Sequence, residues 1–192
     1  MESLEELLVE ELQDLYSAEK QLVKALPSMV KGAQSESLKT ALTEHLAVTK
    51  AQVTRLDEVF ALVGQKPKAK HCKGMEGLLA EGSEGLESQQ PSVFRDLALI
   101  GAAQRVEHYE MAAYGTARAI AEQCGMSEAV ELLDQTFEEE EEADSKLTEV
   151  AEELYAEAGS MEEGEDDEEA PEKGNMKMAS GKKGAASKAP IR

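Results

Sequence analysis

Six side chains carry the chemistry this sequence suggests: Glu19, His45, Glu107, Glu110, Glu140 and Asp144. Alternating steps of four and three keep residues on one inward-facing helical seam. At that spacing, four segments are each apolar at both ends and polar near the middle. The first reads Leu8, Leu12, Leu15, Glu19, Leu22, Leu26, and the second Leu38, Leu42, His45, Thr49, Gln52, Leu56, Val59. The third reads Val93, Leu97, Ile100, Gln104, Glu107, Met111, Tyr114, and the fourth Leu133, Phe137, Glu140, Asp144, Leu147, Ala151, Leu154. Antiparallel packing brings these polar centres to a similar level inside a bundle. Ionised carboxylates are costly to bury unless paired or coordinated, and without a cation they repel one another or take up protons. Several carboxylates with one imidazole form a hard, oxygen-rich set suited to iron or manganese, whereas structural zinc prefers Cys and His. Four or more carboxylates can bridge and neutralise two divalent ions. Two iron ions per chain are the expectation, with manganese as the other candidate.

Glu110, one turn from Glu107, lies at the edge of its seam and is expected to be a mobile ligand. A single Glu on a helix more often belongs to a solvated face. The coincidence of mid-helix polar groups in four segments reverses that preference, while Glu138, Glu139 and Glu142 read as solvated face. Thr49, Gln52 and Gln104 are candidates for orienting the carboxylates. Tyr16, Tyr109 and Tyr114 stand near the same levels, where packing is the simpler role and a hydrogen bond to a ligand the further one.

Four long helices must position these groups. Ser3 followed by Glu6 has the spacing of a capping box, which starts a helix over about 3–31, with Pro27 expected to kink its end. Ser35 caps a second helix that stops at Gly64. Residues 65–90 form a long connection in which Met75, Leu78 and Leu79 make about two helical turns. A third helix runs from near Pro91 to Gly125, and Ser127 caps a fourth that reaches about Gly159. The expected fold is therefore all-α: a ferritin-like four-helix bundle over residues 1–159, made of two antiparallel hairpins joined by a long crossover containing a short helix. Residues 160–192 are of low complexity, acidic and then basic, and are expected to be a disordered tail.

Composition agrees with this reading. Aromatic residues are only 4% with no Trp, which favours helix-on-helix packing over a β-sandwich. The net charge of the 192 residues is −20, and the tail holds eight acidic and six basic side chains, so the negative field belongs to the bundle. Such a field repels nucleic acid and anionic membrane surfaces and attracts cations, although solubility alone accounts for it. No stretch has the length of an apolar membrane span and no signal-peptide pattern follows Met1, so a cytoplasmic protein is expected. Cys72 and Cys124 match no zinc spacing and read as free thiols. Gly-rich phosphate loops and Ser/His/Asp sets are not evident.

Three stretches carry a resemblance: Glu11-Leu-Gln-Asp-Leu-Tyr-Ser-Ala-Glu19, Cys72-Lys-Gly-Met-Glu-Gly-Leu, and Ala103-Gln-Arg-Val-Glu-His-Tyr-Glu110. In order and separation, over about residues 3–157, they resemble the YciE/YciF family of bacterial ferritin-like stress proteins. The resemblance implies a rubrerythrin-type bundle with a dinuclear metal site, a homodimer and a link to stress responses. It matches Glu19 to the helix-one ligand of rubrerythrins, and Glu107 with Glu110 to their helix-three pair. Glu140 with Asp144 stands where those proteins carry Glu-x-x-His, and His45 is the imidazole of the helix-two seam. The Cys-x-x-Cys pairs of a rubredoxin domain are absent, so a complete rubrerythrin peroxidase system does not reside in this chain. The expected function is di-iron chemistry, oxidising Fe(II) or consuming peroxide or oxygen. The alternative is a non-enzymatic dimeric scaffold with a structural metal or none.

Overall fold

The computed structural model describes residues 2–88 and 91–168. Among them are five helices and no strands: α1 (Leu4–Gly32), α2 (Glu36–Leu62), α3 (Lys73–Ser88), α4 (Val93–Gln123) and α5 (Ser127–Glu168). Serine hydroxyls open three of them. Ser3 accepts the Glu6 amide at 3.2 Å, Ser35 the Leu38 amide at 3.4 Å and Ser92 the Arg95 amide at 3.2 Å, each satisfying an amide with no partner inside its helix. Gly64 and Gly125 follow α2 and α4 at φ of 70° and 71°, a left-handed conformation that glycine adopts without a Cβ penalty. Pro27 lies within α1, which continues to Gly32.

Three boundaries differ from the sequence-based expectation. The crossover helix α3 has 16 residues rather than two turns, because Met75, Leu78, Leu79 and also Leu86 pack against the core. Helix α4 starts at Val93, capped by Ser92 rather than led by Pro91. Helix α5 continues past Gly159 to Glu168 through an acidic run rich in Glu, a good intrinsic helix former. The rest of the expected tail, 169–192, lies outside the described residues.

Helix α1 packs on α2, α4 on α5, α1 on α4 and α2 on α5, while α3 lies against α1 and α4. Helices α2 and α5 pass in opposite senses: Gln52 meets Glu140, and Arg55, nearly one turn on, meets Thr136. The core falls into two apolar clusters. One gathers Leu8, Leu12, Leu15, Leu56, Phe60 and Ala117; the other gathers Leu22, Leu26, Leu38, Leu42, Ile100 and Leu147. The polar centres of the four stripes occupy the layer between them.

Two long-range connections set the frame. Before α3, the Cys72 amide donates to Ser17 Oγ at 3.0 Å, Gln21 Nε2 donates to the Cys72 carbonyl at 3.0 Å, and the Lys70 amide donates to the Gln13 carbonyl at 3.0 Å. This part of the crossover is thereby fastened to α1. Gly74 then passes so close to Tyr109 that a Cβ would sit 2.8 Å from its ring. At the α1–α2 turn, buried Asp96 of α4 accepts the amide of Gln34 at 2.9 and 3.0 Å and that of Ser35 at 2.6 Å, while the Arg95 guanidinium donates to the Gly32 carbonyl.

Candidate metal centre

Ligand atoms of His45, Glu107, Glu110 and Glu140 all lie within 4.8 Å of one another. They come from three helices: α2 supplies the imidazole, α4 two carboxylates one turn apart, and α5 the fourth group. Glu19 of α1 is buried beside them, close enough for its charge to act on both Glu107 and Glu110. Asp144 stands at the margin of the group. It accepts from Gln104 Nε2 at 3.1 Å and faces His108 Nε2 at 3.5 Å, while its charge still acts on Glu107.

The donor set is short of donated protons and positive charge. Glu19 Oε2, Glu107 Oε2, both oxygens of Glu110, Glu140 Oε2 and His45 Nε2 are buried without a hydrogen-bond partner. Native interiors satisfy most such atoms, so a concentration of them asks for an ion or for protons. Burial pushes the carboxyl pKa values of Glu19, Glu107 and Glu110 well above the usual range, and the charge of a neighbouring carboxylate adds to each shift. Burial also pushes Glu140 up to about 7, although Glu107 and Gln52 stabilise its charged form. Glu107 and Glu140 stand close enough to share a proton; when both are ionised, each can only accept. Desolvation pushes His45 down to about 4, leaving the imidazole neutral near pH 7, the form in which it ligates a metal. Its Nε2 is 3.6 Å from Glu107 Oε2. These residues fit a divalent cation in both charge and donor type.

The surrounding polar groups hold one oxygen of a carboxylate and leave the other available. Tyr114 donates its hydroxyl to Glu19 Oε1, and Gln52 Nε2 donates to Glu140 Oε1 at 2.5 Å. Gln52 was a sequence candidate for orienting a carboxylate; for Tyr114 packing was the simpler expectation and such a hydrogen bond the further one. Gln104 acts on Asp144, and Thr49 donates to the His45 carbonyl at 2.8 Å, supporting the backbone rather than the ring. Tyr16 packs its ring edgewise on Phe60, with centroids 5.6 Å apart. Tyr109 donates to Asp14 Oδ2 at 2.6 Å and lies 2.9 Å from Cys72 Sγ. Both cysteines are free.

Glu139 requires a correction. It is half-buried rather than solvated, and Arg55 grips it with two hydrogen bonds of 2.7 and 2.8 Å. The Arg55 guanidinium and Gln135 hold its pKa below the ordinary value despite burial. Arg55 lies off the helix-two seam but three residues after Gln52, and that spacing on a helix was the available signal. Glu138 and Glu142 are exposed, as expected.

Comparison with known proteins agrees with this architecture. Residues 3–159 match DUF892, a domain of unknown function. The chain is 44% identical to Protein YciF of Escherichia coli strain K12 over 152 residues, spanning 79% of this chain and 92% of that protein. The crystal structure of the E. coli stress protein YciF superposes with a TM-score of 0.79 at 43% identity, covering 81% of this chain and 99% of that one. YcfI of Rhodopseudomonas palustris gives 0.75 at 41% identity, covering 77% and 94% of the respective chains. A protein of Xanthomonas campestris pv. campestris shares the fold at 19% identity, with a TM-score of 0.65 over 84% of this chain and 99% of that one. Among the described residues, no helix is long and apolar enough to cross a membrane. With 157 of its residues matched to one family, this chain belongs to the DUF892 family and is a homologue of the E. coli stress protein YciF.

Proposed function

We propose that this chain is a ferritin-like carboxylate protein that holds two metal ions per chain, iron first and manganese second, and serves a stress response. The observation that carries the proposal is the convergence of His45, Glu107, Glu110 and Glu140 with unpartnered ligand atoms between two apolar layers. Kinship with the stress protein YciF supports the physiological setting. In this reading the helices form two antiparallel hairpins with α3 in the crossover, the arrangement of ferritin-like bundles.

Bound iron would supply one-electron chemistry for oxidising Fe(II) or for consuming peroxide or oxygen. The chain's own residues provide the setting. His45 offers a neutral nitrogen, Glu107, Glu110 and Glu140 offer negative oxygens, Glu19 extends the set, and Asp144 closes its margin. Tyr114 and Gln52 fix Glu19 and Glu140 through one oxygen each. The apolar layers above and below close the two ends of the site to water.

Anaerobic incubation with Fe(II), removal of loose ions and elemental analysis test the proposal. About two irons per chain are expected in the wild type and none in a Glu107→Ala, Glu140→Ala variant. Equal retention in both would overturn it. The oxidative part fails if loaded protein oxidises Fe(II) with oxygen or peroxide no faster than buffer containing the same iron.

A structural role is the second reading, favoured by the description of the R. palustris relative as a candidate structural protein. A dimeric scaffold of this kind gains thermal stability from the ion, because a ligand that binds only the folded state stabilises it by mass action. It shows no turnover.

A further inference from the structure

We propose that the cleft between α2 and α5 is the port through which a divalent cation enters and leaves the carboxylate cluster, an inference that rests on the metal-centre reading above. Glu19, Glu110 and Glu140 have no exposed surface. His45 and Glu107 of the cluster border a cavity of about 300 Å3. Their side chains keep 10% and 3% of their surface, and the Nε2 and Oε2 atoms 3.6 Å apart lack hydrogen-bond partners. The inner end of the cleft is therefore formed by two side chains whose unpartnered ligand atoms are themselves enclosed just behind its surface.

The walls and mouth differ in character. Leu42, Val48, Ala143 and Leu147 line the walls. These side chains offer a cation no ligand, and the carboxylate of Glu139, which also lines the cavity, is already engaged by Arg55. Glu44, Glu142 and Lys146 are exposed around the mouth. Lys146 is paired with Glu149 at 3.1 Å, and nearby Glu139 is neutralised by Arg55. The field at the mouth is thus set by Glu44 and Glu142, which attract cations and repel anions. Size fits as well: the cavity of about 300 Å3 is many times the roughly 10–15 Å3 that admits one water, so water can accompany the ion inward. The ion can enter hydrated and exchange water for His45 and Glu107 at the inner end.

A port has a kinetic signature. Narrowing it slows entry and exit by the same factor and leaves affinity unchanged. The test uses full-length protein and Fe(II) under anaerobic conditions. Uptake is followed by rapid mixing, release by colour formation with an excess of an Fe(II) chelator, and stoichiometry by elemental analysis. In Ala143→Trp, both rates are expected to fall on the order of tenfold, with the same number of ions bound at the same affinity. In Glu44→Gln, Glu142→Gln, entry is expected to slow on the order of tenfold at low salt, with the difference vanishing at high salt.

Wild-type exchange rates in a folded Ala143→Trp protein would overturn the port while leaving the metal centre standing. If wild type retains no iron, the metal centre falls and the port with it. Should Ala143→Trp lose its helical circular dichroism, the charge variant decides alone, and unchanged entry at low salt overturns the proposal.

Discussion

Leu15, Glu19 and Leu22 lie on one stripe of α1 and are buried to 0%, 0% and 2% exposure, yet they belong to regions with opposite energetics. The leucines sit in the two apolar clusters, where burial is favourable and neighbours are like themselves. Glu19 sits in the layer between, where burial raises the carboxyl pKa and Glu140 raises it further. Equal burial does not mean equal contribution to stability. The apolar layers hold the helices together, and their stability allows the waist to keep groups that repel one another.

The largest effect should come from breaking an apolar layer. Leu12 is fully buried, and Leu12→Ala should lower unfolding free energy by about 2–5 kcal/mol in urea denaturation, through lost transfer energy and a residual cavity. The waist should respond with the opposite sign. Glu110→Leu removes a buried carboxylate with two unpartnered oxygens and should raise the stability of metal-free protein by about 1–4 kcal/mol, while metal retention falls. A loss of stability there would mean that Glu110 is satisfied in solution and that the contrast between the regions is false.

The most diagnostic effect is on pH dependence. Glu19, Glu107, Glu110 and Glu140 all have raised pKa values, with Glu140 at about 7, so the native metal-free state holds protons that the unfolded chain has released. Their contribution is complete below the ordinary carboxyl pKa of 4.5 and is lost as pH rises through the folded values. His45, lowered to about 4, works against this trend, since its share is lost as pH falls from 6.5. Four carboxylates outnumber one imidazole. Urea midpoints of metal-free protein should therefore fall between about pH 5 and 7, at about 1.4 kcal/mol per pH unit for each net proton. Saturating Mn(II) should flatten the slope, and a rise with pH in metal-free protein would contradict the raised values.

The convergence of the candidate residues was largely legible because helical spacing puts mid-stripe polar residues at one depth. Glu107, Glu140 and His45 follow from that rule alone, and Glu110 from its position one turn after Glu107. Asp144 satisfies the same spacing but stands at the margin, where Gln104 and His108 engage it. The seam gives depth along a helix, not the rotation that decides between centre and edge. Glu139 was misread because a run of Glu looks alike residue by residue. Its partner Arg55 lies 84 positions away, a pairing that only tertiary structure supplies. The length of α3 was hidden for a related reason: several glycines lower its intrinsic preference, and contacts with α1 and α4 override them.

The grip of Asp96 on the α1–α2 turn bears on the order of events during folding. The amides of Gln34 and Ser35 take their acceptor from a helix about 60 residues further along the chain. Until that helix arrives, the two amides are open to solvent, even with α1 and α2 already formed. Their protection against hydrogen exchange should therefore appear with the docking of α4, later than that of amides inside α1 or α2, making one short turn a clock for assembly of the whole molecule.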